Sequence, residues 1–198
     1  MNSTIASHRF PPLLASIVPL NGLLTTALLA VLGSLALALS AKIQIPFWPV
    51  PMTMQTLVVL MLGMAYGSRL ALGTLLLYLA EGAAGLPVFA GANAGLAYMS
   101  GPTGGYLIGF LFAAVLIGCL AERGWDRSPL KALAAMALGH AVVFVPGVAW
   151  LSLLFGLDKA VALGLTPFWV ATVLKTLLGA ALMQAAWYVI ARRSQSTR

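Results

Sequence analysis

The run FPPLLASIVPLNGLLTTALLAVLGSLALALSA, residues 10–41, contains no charged side chain. About 20 consecutive apolar residues carry a helix across the hydrocarbon core of a bilayer. This stretch is long enough to cross with residues to spare. Residues 43–68, 82–121, 132–157, 160–174 and 176–191 are likewise uncharged. Of the 198 residues, 61% are apolar and 8% charged, against about 45–50% and about 25% in a soluble domain. Four acidic side chains cannot coat a water-facing surface of this size. The chain is read as an all-α integral membrane protein.

Proline and glycine clusters divide the longer runs into spans near 18–39, 53–68, 70–85, 103–121, 132–155 and 168–191. Six helices put both termini on one side. That side receives Arg9, Arg69, Arg123, Arg127, Lys131, Arg192, Arg193 and Arg198, while the other receives Lys42 and Lys159. Basic residues accumulate on the cytoplasmic side, so both termini are expected there. Residues 1–198 then form a single transmembrane domain, with short cytoplasmic tails of about 1–15 and 192–198. Arg9, the apolar run from Leu23 and Ala36-Leu-Ala38 loosely mimic a signal peptide. Pro19 and the length of the preceding stretch weigh against cleavage.

The polar residues gather towards the outer side. The first outer loop, Lys42 to Gln55, carries Pro46, Pro49 and Pro51 with Phe47 and Trp48. It reads as a stiff apolar lid over a site, or as an interfacial loop with aromatic anchors. The second, Glu81 to Tyr106, has seven glycines in 26 residues and is nearly uncharged. Glycine at that density allows close backbone approach to a ligand or to another segment. Pro102, Gly104 and Gly105 suggest free N–H groups at the head of the fourth helix, suited to a carboxylate or carbonyl oxygen.

Lys175 is the most informative single residue. It lies about seven residues into the last span, roughly 10 Å deep at 1.5 Å per residue. A charge there costs about 2.5–3.5 kcal/mol on insertion scales, so a partner or a ligand is expected. The alternative is a lysine reaching back to the headgroups. Thr172 shares its face one turn earlier. Glu81, at the outer end of the third span, reads as interfacial or as a partner of Lys175 or Lys42. His140 reads as a structural, hydrogen-bonded residue more readily than as a proton relay. Cys119 reads as a small packing residue without a disulfide partner.

Thr26, Ala30, Ser34 and Ala38 recur every four residues on the first helix. Such a small-residue stripe permits close packing, either within the bundle or against a docked subunit. No P-loop, HExxH, Ser/His/Asp set or metal-binding group of side chains is present, so ATP hydrolysis and metal catalysis are not expected. No basic stripe interleaved with aromatics points to nucleic acid.

Several segments together resemble the BioY family, the biotin-binding substrate-specificity (S) components of energy-coupling factor (ECF) transporters. They are Pro49-Val-Pro-Met-Thr-Met-Gln-Thr56, Gly85-Leu-Pro-Val-Phe-Ala-Gly91 through Asn93, and Gly101-Pro-Thr-Gly-Gly-Tyr106. Gly147-Val-Ala-Trp-Leu151, Gly164-Leu-Thr-Pro-Phe168 and Lys175 follow in family order. The resemblance implies a six-transmembrane-helix S-component bundle with cytoplasmic termini and a biotin pocket under the first outer loop. By position, Asn93, Gly105 and Lys175 match biotin contacts of the family, while Gln55 and Tyr106 fit its motifs. The family's usual aspartate three residues before the lysine is absent: the segment here is Val170-Ala-Thr172. Glu81 is expected to take over that charge.

The implied function is high-affinity biotin capture from the outer face of the bacterial cytoplasmic membrane. A partner transmembrane coupling protein and a pair of ATPases would supply the energy, and the Thr26–Ala38 stripe would serve as their docking face. No cofactor or metal is implied, and homo-oligomerisation stays open. The alternatives are an S component for another small vitamin and a self-sufficient secondary transporter using Glu81 or His140 for protons. A membrane-embedded enzyme lacks a catalytic set.

Overall fold

A computed structural model describes residues 10–18 and 22–196 of the chain. Its elements run α1 Leu23–Lys42, β1 Gln44–Ile45, β2 Met52–Thr53, α2 Gln55–Ala83 and α3 Gly95–Met99. They continue with α4 Gly104–Ala121, α5 Pro129–Phe155, α6 Leu157–Gly164 and α7 Trp169–Ser196. Three short 3₁₀ turns, Leu14–Ser16, Trp125–Arg127 and Thr166–Phe168, complete the description. Five helical stretches among the described residues are long and apolar enough to cross a membrane.

One of the five is folded double. Gln55 and Tyr78 are 23 positions apart, yet Gln55 Nε2 donates to Tyr78 Oη at 2.7 Å. A straight helix would separate them by about 35 Å. The reversal is made at Gly67, whose φ of 77° and ψ of 173° are not helical. Residues 55–66 and 68–83 are therefore antiparallel arms. They correspond to the expected spans 53–68 and 70–85, and the whole turn is compressed into one glycine. Glu122 Oε1 supports it from α4's end, accepting from Ser68 N at 2.8 Å and Ser68 Oγ at 2.7 Å.

The other spans shift for local reasons. α1 begins at Leu23 rather than near 18, because Gly22 is extended, and continues to Lys42. α5 starts at Pro129, three residues early, since proline without an N–H suits the first helical turn. α3, α6 and the β1–β2 hairpin are additions in what read as loops. Arg9, Pro19, Arg198 and residues 1–9 of the expected tail lie outside the described residues.

α4 is the central element, packed between α2 and α5, and two thirds of its residues are buried. Its glycines make the approach possible. A Cβ on Gly109 would sit 2.7 Å from Val143 O, and one on Gly118 would sit 2.3 Å from Ser68 N. Without a hydrophobic drive between helices in lipid, such backbone proximity is what packing attraction requires. α1 contacts mainly the doubled α2 and exposes Leu24, Leu28, Val31, Leu32, Leu35 and Leu39.

The small-residue stripe of α1 packs within the bundle at Ser34. Ser34 is 1% exposed, and its hydroxyl donates to the Glu81 carboxyl on the second arm of α2. Thr26, Ala30 and Ala38 are half-buried. At its middle the stripe is part of the α1–α2 contact, because a small side chain lets the carboxyl reach it.

At the end of the bundle opposite the hairpin, Asp126 is fully buried and accepts from Trp187 Nε1 at 2.9 Å. Burial pushes its carboxyl above the usual range. Arg127 lies between the rings of Phe10 and Trp187, at 5.0 and 4.3 Å from their centroids. This cluster ties the N-terminal segment to α7.

Gly67→Ala is expected to destabilise the protein by about 1–3 kcal/mol, since its conformation is one that glycine alone adopts without strain. The added methyl would also meet Pro12 Cγ at 2.7 Å. Gly73→Ala, with nothing within 4 Å of the new Cβ, should leave stability equal or higher. Thermal unfolding in detergent checks the pair; equal melting temperatures for both variants would contradict the hinge.

Candidate functional site

The β1–β2 hairpin forms because Ile43 leaves α1 extended and Gln44 and Ile45 pair with Thr53 and Met52. It folds the proline-rich loop back over the helix ends. Beneath it lies a cavity with about 560 Å³ of empty space, its mouth included. Val50, Pro51 and Thr53 of the hairpin region form the roof. Leu107 and Phe110 of α4, with Val143 and Phe144 of α5, supply apolar surface. Tyr98 and Ala90 close one side, and Thr172 and Lys175 of α7 another.

The roof is anchored by aromatic rings. Phe47 meets Phe168 edge-on with centroids 6.2 Å apart, and Trp48 meets Phe155 at 5.7 Å. Offset and edge-on ring pairs of this kind add about 0.5–1.5 kcal/mol beyond their buried area.

Lys175 is 8% exposed, and it does not reach back to the headgroups. Its Nζ donates to Thr53 O at 2.6 Å and to Thr56 Oγ1 at 3.2 Å. An ammonium has three N–H donors, so the roof and the first turn of α2 occupy two of them. The third can serve a ligand oxygen without dismantling the roof. Gln55 is held by Tyr78 and by Thr53 Oγ1, which lies 3.2 Å from its Oε1. Tyr106 faces the cavity, and its hydroxyl donates to Gly164 O at 2.7 Å.

Four of the expected site residues, Gln55, Tyr106, Thr172 and Lys175, thus line one cavity. Asn93 lines an adjoining outer recess with Gln44, Phe47 and Gly91. Pro51, Ala90, Tyr98 and Thr103 border both spaces. Asn93 Nδ2 donates to Ala90 O at 2.7 Å. Gly105 does not line either space: a Cβ there would lie 2.3 Å from Pro146 O, so it is where α4 meets α5. Glu81 does not pair with Lys175 or Lys42. Its carboxyl is taken by Ser34, and Thr53 and Thr56 oxygens solvate the lysine instead.

Thr53, Thr56, Tyr98, Phe144 and Phe168 also line the cavity and were not singled out in the sequence. The two threonines flank Gln55 in the Pro49–Thr56 segment, where hydroxyls bracketing a glutamine were a readable signal. Phe144 offered none, being one apolar residue in an apolar helix. Burial raises the Tyr98 hydroxyl above its ordinary range, so it stays neutral and able to donate. His140 is buried, with Nδ1 3.0 Å from both Met136 O and Thr176 Oγ1, and does not line the cavity.

A family model described as the BioY family matches residues 12–192. The chain belongs to the BioY family. It is 34% identical over 174 residues to the "Biotin transporter BioY2" of Lactococcus lactis subsp. cremoris, covering 83% of this chain and 93% of that protein. It is 36% identical over 171 residues to the "Biotin transporter BioY" of Rhizobium etli, covering 82% and 91%. Among solved structures, it is similar to a crystal structure of the S-component for biotin from an ECF-type ABC transporter. That match has a TM-score of 0.65 at 25% identity and covers 82% of this chain and 90% of the other. BioY membership and the apolar helices make the chain a multi-pass membrane protein.

Glu81→Leu is expected to cost about 1–3 kcal/mol of stability, because the buried Ser34 hydroxyl loses its partner. A melting temperature equal to that of the unaltered protein would contradict this contact.

Proposed function

We propose that this BioY chain captures biotin from the outer face of the membrane, as the substrate-binding subunit of an ECF-type transporter. It is a transporter component and not an enzyme. In this reading six helices cross the membrane, both termini are cytoplasmic, and residues 1–198 are one transmembrane domain. A coupling protein with paired ATPases supplies the energy, and the chain itself uses no cofactor.

The observation that carries the reading is the lysine under the roof. Biotin is a mostly apolar molecule with two polar ends, a ureido group and a carboxylate. Phe110, Val143 and Phe144 offer apolar surface for its ring and chain. The free N–H of Lys175 suits either the carboxylate or the ureido oxygen. Gln55, Thr172 and Tyr98 offer further donors and acceptors around the cavity. Thr172 offers two acceptor lone pairs where a carboxylate offers about four, so the ureido N–H groups draw more on neighbouring oxygens.

The test is a calorimetric titration of the purified chain, without partners, with biotin. Tight stoichiometric binding is expected. Lys175→Ala should weaken it by about 2–5 kcal/mol, the range for truncating a buried charged partner, or about 30- to 5,000-fold. Glu81→Gln should stay within about twofold, since Gln can still accept from Ser34. No binding by the folded unaltered protein, or a loss under about tenfold in folded Lys175→Ala, would contradict the proposal.

A further inference from the structure

The outer end of α1 carries an arrangement that biotin contact does not explain. Lys42 Nζ donates to three backbone carbonyls of the second outer loop: Pro87 O at 2.6 Å, Phe89 O at 2.8 Å and Gly91 O at 2.5 Å. Three donors is the full capacity of an ammonium. The carbonyls between them are also taken, Val88 O by Tyr78 Oη at 3.0 Å and Ala90 O by Asn93 Nδ2 at 2.7 Å. Five consecutive carbonyls, 87 to 91, therefore each receive a side-chain donor. They alternate, odd residues to Lys42 and even residues to Tyr78 or Asn93, so the segment curls around the ammonium.

This segment has no regular secondary structure of its own, so its backbone acceptors must find partners elsewhere. Hydrogen bonds with an ionised donor are roughly twice as strong as neutral ones, which makes Lys42 its strongest tie. The other anchor is Phe89, fully buried between Tyr98, stacked at 5.0 Å, and Tyr78, edge-on at 5.6 Å. Gly82 makes room for it: a Cβ there would lie 2.0 Å from the Phe89 ring. Gly91, at φ +67°, turns the chain at the last of the three carbonyls. A snorkelling lysine would aim its ammonium at water or headgroups; this one is aimed at peptide oxygens.

The geometry points to Lys42 as a positioning residue that holds segment 87–91 as a wall of the ligand cavity and couples it to the roof. Ala90 borders both the cavity and the outer recess, and Asn93 is bonded to it. On its own side Lys42 runs directly into Ile43 and the β1–β2 hairpin. The roof hairpin and the second outer loop thus meet at one ammonium. The roof is tied on its other side by Lys175 to Thr53 O. A ligand leaves when the roof parts from the loop, so Lys42 acts on escape more than on encounter. This role rests on the cavity being the biotin site.

The test compares the unaltered protein with Lys42→Met, which keeps the stem and removes the donors, and with Lys42→Arg. A planar guanidinium fork does not match three oxygens converging on one point. Biotin dissociation is followed by chase with unlabelled ligand, and hydrogen exchange is followed at the amides of residues 88–94. Both variants should release biotin at least about tenfold faster, with an association rate equal or higher and exchange in 88–94 increased. Unchanged exchange together with dissociation within about twofold would overturn the inference. Increased exchange without faster release would overturn it as well, reducing Lys42 to a loop anchor. Should the unaltered folded protein bind no biotin, the proposed function fails, while unchanged exchange in the variants would still separately sink the Lys42 contact.

Discussion

An ammonium carried into an apolar bundle has to be given oxygen. Lys175 obtains it from the backbone of Thr53 and the hydroxyl of Thr56, and the rest of the outer half follows from that demand. For Thr53 O to reach α7, the first outer loop must fold inwards, which the short β1–β2 pairing accomplishes. Once folded in, the loop roofs a space whose other surfaces are apolar rings and a few hydroxyls. The roof is a consequence of solvating the lysine, and the lysine keeps one donor for whatever enters. Stability and recognition thus draw on the same charge.

The lower half obeys a different constraint. Nothing hydrophobic separates helix from lipid, so close approach has to come from shape. Glycines on α4 let Val143 and Ser68 come within backbone distance, and Gly67 reverses α2 within a single residue. That reversal brings Tyr78 back beside Gln55, where it holds a residue that lines the cavity. The hinge on one side of the molecule therefore helps set the site on the other.

Much of this was legible in the residues. Uncharged runs mark the helical rods because a membrane span tolerates few charges, and the Tyr66–Arg69 turn is visible as a glycine between two apolar runs. Lys175 stands out because its neighbours on both sides are uncharged. Its partners were not legible, since a backbone carbonyl carries no sequence signature. Glu81 was the natural candidate, as an acid at the outer end of its span, and it went to Ser34 instead because that serine faces it across α1 and α2. Gly105 was read as a ligand contact, whereas its missing side chain accommodates Pro146 and Trp150. Segment 87–91 looked like a glycine-flanked loop; that Lys42, 45 positions earlier, collects its carbonyls depends on a tertiary approach that spacing does not encode.

The most direct measurement is a crystal structure of this BioY chain grown with biotin. Biotin should lie under the β1–β2 hairpin, against Phe110 and Phe144, with one of its oxygens about 2.7–3.2 Å from Lys175 Nζ and the Thr53 contact retained. Biotin bound elsewhere, or bound with Lys175 still engaged by Thr53 and Thr56 alone, would contradict the assignment of this cavity.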